Sequence, residues 1–229
     1  MYCSVEPRAA LIAAALLGVA AVGWGADAAP AAPDSPCNES LCFNAKSAQA
    51  TRTRLVVINI NAVGNTSHGP AHLSADRAEA TGADYSHWVF SGHVHVDLRE
   101  GQLQADTATV QQLDKRIVSI RADGMPARFE RLPQSTAKAL TGSAAATANL
   151  TVRGHADAIT YDLSKNQVQL NGNSWFSDGC NEITSQSIVY NIANQSVLAS
   201  GAAGGTGQVH GTIRTMRPGA SCTSATGAP

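Results

Sequence analysis

A chain of 229 residues with 16 Lys and Arg against 17 Asp and Glu has room for one mid-sized domain or two small ones, and its near-zero charge argues against a nucleic-acid binder that works by neutralising phosphates. Only 14% of the residues are charged and 5% aromatic, against 44% hydrophobic. That balance suits a sheet protein of Ser, Thr, Asn, Ala, Val and Ile; it does not suit long solvated helices or a surface that stacks bases.

Arg8 precedes an apolar run, Ala9 to Val22, of 14 residues. A helix needs about 20 such residues to cross a bilayer. Ala26-Asp27-Ala28 then offers a small-x-small cleavage site, so residues 1–28 read as a secretory signal peptide, with an uncleaved anchor as the alternative. Cysteine usage agrees with export. Cys3 leaves with the signal, and Cys37, Cys42, Cys180 and Cys222 remain, an even number in an oxidising compartment. Local closure favours Cys37 with Cys42 and Cys180 with Cys222, although three pairings are open. Zinc binding is disfavoured, because the second two cysteines lie far apart in sequence.

Residues 29–65 read as a flexible leader rich in Ala, Pro, Ser and Asn, carrying one short strand-like run from Arg54 to Ile60. From about Ser67, short runs of Val, Ile, Leu, Thr and Phe alternate with Gly, Asn and Asp, with no helical period. Two stretches match at an offset of about 80: Trp88–Val96 with Val168–Phe176, and Leu103–Val110 with Ile183–Tyr190. A corner element recurs around Asp76, Asp106, Asp157 and Gln186, at spacings of 30, 51 and 29. The long spacing contains an Ala/Ser/Thr-rich stretch, 132–149; subtracting its 18 residues leaves 33. A period of about 30 residues points to stacked supersecondary units.

Each corner changes the phase of the apolar alternation. Leu103 and Ala105 lead to Ala108 and Val110; Gly154 and Ala156 lead to Ile159 and Tyr161. A one-residue slip alone would turn the second set outward. A bulge or bend restores the inward face and redirects the strand, giving two facing walls with one apolar interior. The corner carboxylates therefore read as structural acceptors for local backbone N–H groups.

The order and spacing of Phe90-Ser91-Gly92-His93-Val94, Ala105-Asp106, Gly124-Met125-Pro126-Ala127-Arg128-Phe129, Gly154-His155-Ala156-Asp157 and Leu170-Asn171-Gly172-Asn173 resemble the OstA-like family of periplasmic lipopolysaccharide-export domains. The resemblance covers roughly two-thirds of the chain. It implies an all-β jellyroll of stacked, bent antiparallel strands over residues 66–215, V-shaped and open at both ends, with a flexible tail at 216–229. It further implies a periplasmic carrier that bridges the inner and outer membranes and shields lipid A acyl chains. The implied partners are lipopolysaccharide, the inner-membrane export anchor LptC, the outer-membrane translocon LptD and further copies of the chain joined head to tail through edge strands.

On this reading the lipid-lining candidates are Leu73, Phe90, Val94, Val96, Leu103, Val110, Ile120, Phe129, Ile159, Leu170, Phe176, Ile183 and Ile188. The family fold places Phe129 near the groove mouth. Such a lining needs no catalytic group, metal or cofactor. No Walker loop, dinucleotide fingerprint, zinc-protease motif or nucleophile elbow occurs. His93 and His95 stand two apart on an expected strand, with no third ligand at evident spacing, and read as surface histidines. Two rival readings are a structural adaptor that pairs edges without binding lipid, and a metal-dependent secreted enzyme built on those histidines.

Overall fold

The computed structural model describes residues 41–82, 84–131, 151–201 and 207–213. The expected signal peptide, residues 29–40 of the expected leader, the 132–149 stretch and the 216–229 tail lie outside the described residues. Within them no helix is long and apolar enough to cross a membrane.

The regular elements are strands: β1 Leu41–Ala50, β2 Arg54–Thr66, β3 Gly69–Thr81, β4 His87–Leu98, β5 Gly101–Leu113, β6 Arg116–Arg131, β7 Val152–Asp162, β8 Gln167–Ser177, β9 Glu182–Asn191, β10 Ser196–Ser200 and β11 His210–Thr212. Strands β1 to β10 lie side by side in chain order, and β11 pairs with the part of β9 that β10 leaves uncovered. Neighbours are antiparallel, joined mostly by short turns. Asp114 and Lys115, both at positive φ, make the two-residue turn between β5 and β6.

The structure corrects the expected leader. Residues 41–65 form two long strands, not a flexible segment with one short run. Strand β2 buries Val57, Ile60, Ala62 and Val63. Strand β1 is polar from Asn44 onward and largely exposed there. Its register comes from backbone pairing with β2, from Leu41 opposite Gly64 to Ala50 opposite Leu55. An end strand needs little apolar alternation of its own, which is why composition misread it.

A seam crosses the sheet at the expected corners. All six pairings from β3–β4 to β8–β9 shift register there. Strands β4, β6 and β8 carry the extra residues, opposite the corners of β3, β5, β7 and β9. The buried set accordingly steps from Leu73 and Ala75 to Ala78 and Ala80, and from Val152, Gly154 and Ala156 to Ile159 and Tyr161. In β2 the same slip passes through Asn59, held at φ 50°.

The corner carboxylates reach across the seam to the bulge of the next strand. Asp76 Oδ2 lies 2.7 Å from His93 Nδ1. Asp157 Oδ2 accepts a bond of 2.9 Å from Asn173 Nδ2, and Asp106 Oδ2 accepts one of 3.3 Å from the Met125 backbone N–H. Two of the three therefore bind side chains rather than the expected backbone groups. Proximity to Asp76 raises the His93 pKa above the ordinary imidazole value. Gly92 and Gly172 sit beneath these carboxylates at φ +76° and +75°. A Cβ on either would fall 2.4 Å from the aspartate Oδ2, so both the left-handed backbone and the space require glycine.

The turns repeat as well. Asp162 Oδ1 accepts the N–H groups of Ser164 and Lys165, each at 3.1 Å. Asn191 Oδ1 does the same for Ala193 and Asn194, at 3.0 and 3.2 Å. The next residue in each turn, Leu163 or Ile192, is buried and donates its N–H to the preceding strand or turn, at Val118 and Asn166.

Two outcomes test this account. Gly92→Ala and Gly172→Ala should each destabilise the fold by ~1–3 kcal/mol in urea titrations. Gly69→Ala provides the contrast: its φ is also positive, at +128°, but nothing lies within 4 Å of the added methyl. Equal losses at all three sites would refute crowding at the seam. Hydrogen bonds from Lys165 and Ser164 hold the Asp162 pKa down to about 2, against opposing desolvation. Its stabilising effect is therefore complete above the ordinary carboxylate pKa and fades as pH falls toward 2. Asp162→Asn should lower stability at neutral pH, where the charged carboxylate contributes fully, and converge with the wild type as pH falls toward 2, flattening that part of the acid-unfolding profile.

Candidate functional site

The seam divides β2 to β9 into two walls. The first holds, for example, residues 127–131 of β6 and 152–156 of β7; the second holds 116–123 and 158–162 of the same strands. The walls fold onto each other. Phe129 and Phe176 of the first pack on Tyr190 of the second, with ring centroids 6.5 and 5.1 Å apart. Phe43 of β1 meets Trp88 edge-on at 6.1 Å. Gly64 and Gly154 allow the closest approaches, since a Cβ on either would lie 2.6 Å from Ile117 Cδ1 or Leu170 Cδ2.

All thirteen candidates face this interior. Leu73, Phe90, Val94, Val96, Leu103, Val110, Ile120, Phe129, Ile159, Leu170, Phe176 and Ile188 are at most 3% exposed, and Ile183 is half-buried against them. They belong to one continuous apolar cluster that also includes Trp88, Ile117, Tyr161, Leu163, Val168 and Tyr190. Tyr161 and Tyr190 were legible from the resumed alternation after the corners. The contribution of Val57 and Ile60 was hidden by the apparent leader. Among the described residues, the buried polar residues are three serines, Ser174, Ser177 and Ser185, while the Tyr161 and Tyr190 hydroxyls and the 10%-exposed Glu100 carboxylate add polar groups toward the wall ends. In this structure the walls touch, so the interior is a packed core and the expected trough is shut.

Among the described residues the sheet does not close on itself at its ends: strand β1 pairs on one side only, with β2, and β10 pairs only with β9. Leu198, Val209 and Ile213 are exposed near the β10 and β11 end.

Away from the interior, polar groups are dispersed. On the outer face a hollow of about 240 Å³ is lined in part by Gln104, Arg128, His155 and Trp175. Stacking on Trp175 at 5.1 Å accompanies burial that lowers the His155 pKa, with the Arg128 charge adding to the effect. His93 is almost wholly exposed at its bulge, and His95 Nε2 lies 3.1 Å from Asp97 Oδ1. No group of three or more His, Cys, Asp or Glu side chains suited to a metal stands together among the described residues. Cys42 and Cys180 are each disulfide-bonded; Cys37 and Cys222 lie outside the described residues.

A bent antiparallel sheet, creased at repeated corners and apolar between its walls, defines the LptA-like β-jellyroll class. A family model described as LptA/(LptD N-terminal domain) LPS transport protein matches residues 72–196, more than half of the chain. The chain belongs to that family. It is also similar to LptH of Pseudomonas aeruginosa, described as the LptA-homologous periplasmic component of the conserved lipopolysaccharide transport device. That likeness is 23% identity with a TM-score of 0.49, covering 65% of this chain and 90% of that one. No curated protein matches the chain.

The contact between the walls can be measured directly. Phe129→Ala and Phe176→Ala should each cost ~3–5 kcal/mol, since each leaves a void beside Tyr190. Because they share that neighbour, the double variant should depart from the sum of the single losses by ~0.5–3 kcal/mol. Strict additivity in chemical denaturation would separate the two contacts.

Proposed function

We propose that this chain is a non-enzymatic periplasmic carrier that shelters the acyl chains of lipopolysaccharide between its two walls as the lipid moves from the inner to the outer membrane. Membership of a lipopolysaccharide-transport family supports the cargo. The observation that carries the reading is the interior itself: apolar side chains from β2 to β9, with serines as the buried polar residues among those described. Each methylene taken from water gains ~0.8 kcal/mol, so an acyl chain of about a dozen carbons gains roughly 10 kcal/mol before ordering costs. That is enough to compete with wall-to-wall packing if the walls part to admit it.

The ends supply the bridge. An unpaired strand edge is a template for another strand. The side of β1 that has no strand beside it among the described residues, and the short β10 and β11 with exposed Leu198 and Ile213 nearby, suit head-to-tail pairing with further copies. On the same logic one end meets the inner-membrane anchor LptC and the other the translocon LptD.

The closed interior favours a second reading, an adaptor that joins neighbours through its edges and never takes up lipid. Replacing Phe129 with a photo-crosslinking phenylalanine separates the two. During active export, the carrier should yield a lipopolysaccharide adduct at this position and none at an outward control such as Gln104. Protein–protein adducts alone would favour the adaptor and reject the carrier.

A further inference from the structure

The walls are joined at their far edges by polar contacts distinct from the apolar packing beneath them. At the end of β2, Thr66 pairs in parallel with Ile117 at the start of β6, a bridge between strands that are not neighbours in the main order. In the β2–β3 turn, His68 Nε2 lies 3.0 Å from the Leu163 carbonyl oxygen, which requires the N–H to sit on that nitrogen. Ser67 Oγ donates to the same oxygen at 3.5 Å. The other ring nitrogen, Nδ1, is 3.5 Å from Glu100 Oε1. Arg131 Nη1, at the end of β6, donates to the Tyr190 hydroxyl at 2.9 Å.

These residues divide cleanly. Thr66, Ser67, His68, Glu100 and Arg131 end the first wall, while Ile117, Tyr161, Leu163 and Tyr190 belong to the second. We infer that they form a latch across the mouth of the interior, and that opening this latch is the step that admits acyl chains. The inference rests on the carrier reading and specifies how its site is controlled.

Two features suit a latch better than a permanent seam. The contacts are few and mostly made by side chains, so they can break without unravelling a strand. The closed state also holds an unfavourable group: Glu100 is only 10% exposed, yet its Oε2 has no hydrogen-bond partner among the described residues. An orphaned buried carboxylate oxygen disfavours the conformation that buries it. Its charge stands near the Tyr161 hydroxyl, which is also tied to Asn166 Oδ1 at 3.3 Å, and burial together with that charge pushes the Tyr161 pKa up. Separation of the walls would return Glu100 to water and release Arg131 at the lip.

Tyr190→Phe removes the hydroxyl that Arg131 binds and keeps the ring that packs on Phe129 and Phe176. Arg131→Met removes the donor and retains an apolar stem. Amide hydrogen exchange at Ile117 and Leu163 should speed up on the order of tenfold in both variants, the scale of one hydrogen bond to a charged group. Exchange at Val110 and Leu170, away from the lip, should stay as in the wild type. Uptake of fluorescently labelled lipopolysaccharide should accelerate by a similar factor, because uptake follows the open population. Unchanged exchange at the lip in both variants overturns the latch. Faster exchange with unchanged uptake, in a protein that does take up the lipid, overturns this mouth as its route and leaves the carrier reading standing. A wild-type protein that takes up no lipopolysaccharide defeats the carrier reading, and the gate with it.

Discussion

The structure depends on one repeated constraint: each strand corner is answered by a bulge in the next strand, and at two of the bulges an aspartate rests over a glycine. Without the extra residue, the phase slip at the corner would turn half of each strand's apolar side chains into water. With it, both halves present the same face and the sheet bends. Gly92 under Asp76 and Gly172 under Asp157 are two copies of this arrangement, offset by about 80 residues. The shared apolar interior follows from the crease being kept in line from β3 to β9.

The crease makes a single sheet behave as two walls, and the walls divide their labour. The deep contacts are apolar and close-packed, with aromatic rings of Phe129, Phe176 and Tyr190 spanning the gap. The contacts at the mouth are polar, sparse and incompletely satisfied. On the proposed carrier reading, this gradient would keep the apolar interior closed while leaving the rim able to open. An apolar core alone would be sealed, and a polar cleft alone would offer no gain to a fatty tail.

Much of this was readable in the sequence because the repeat carried its own phase information. The alternation before and after Asp106 and Asp157 identified the inward side chains, and the thirteen lining candidates are inward. What misled was composition. Strand β1 packs Leu41 and Phe43 on the core at its start, but beyond them, with Asn44, Lys46, Ser47 and Gln49, it is carried by backbone pairing and has almost no apolar signal to detect. Strand β2 was read only as far as Ile60, because the slip at Asn59 broke the alternation and no aspartate marked it. Nor could a linear pattern reveal the latch, since His68 and Leu163, or Arg131 and Tyr190, meet only after the sheet has folded over. The alternation also gave no measure of the distance between the walls, which Gly64 and Gly154 set by leaving room for Ile117 and Leu170.

The crease is written separately into each pair of adjacent strands, so it does not rely on a closed ring or a fixed strand count. Such an architecture can grow by duplication of a hairpin, as stacked-repeat proteins do, with each new unit bringing its own bend and its own share of greasy lining. The matched stretches 80 residues apart look like the trace of that kind of growth. Capacity for longer or more numerous tails would then be an inheritable variable, adjusted by adding rungs rather than by redesigning a cavity.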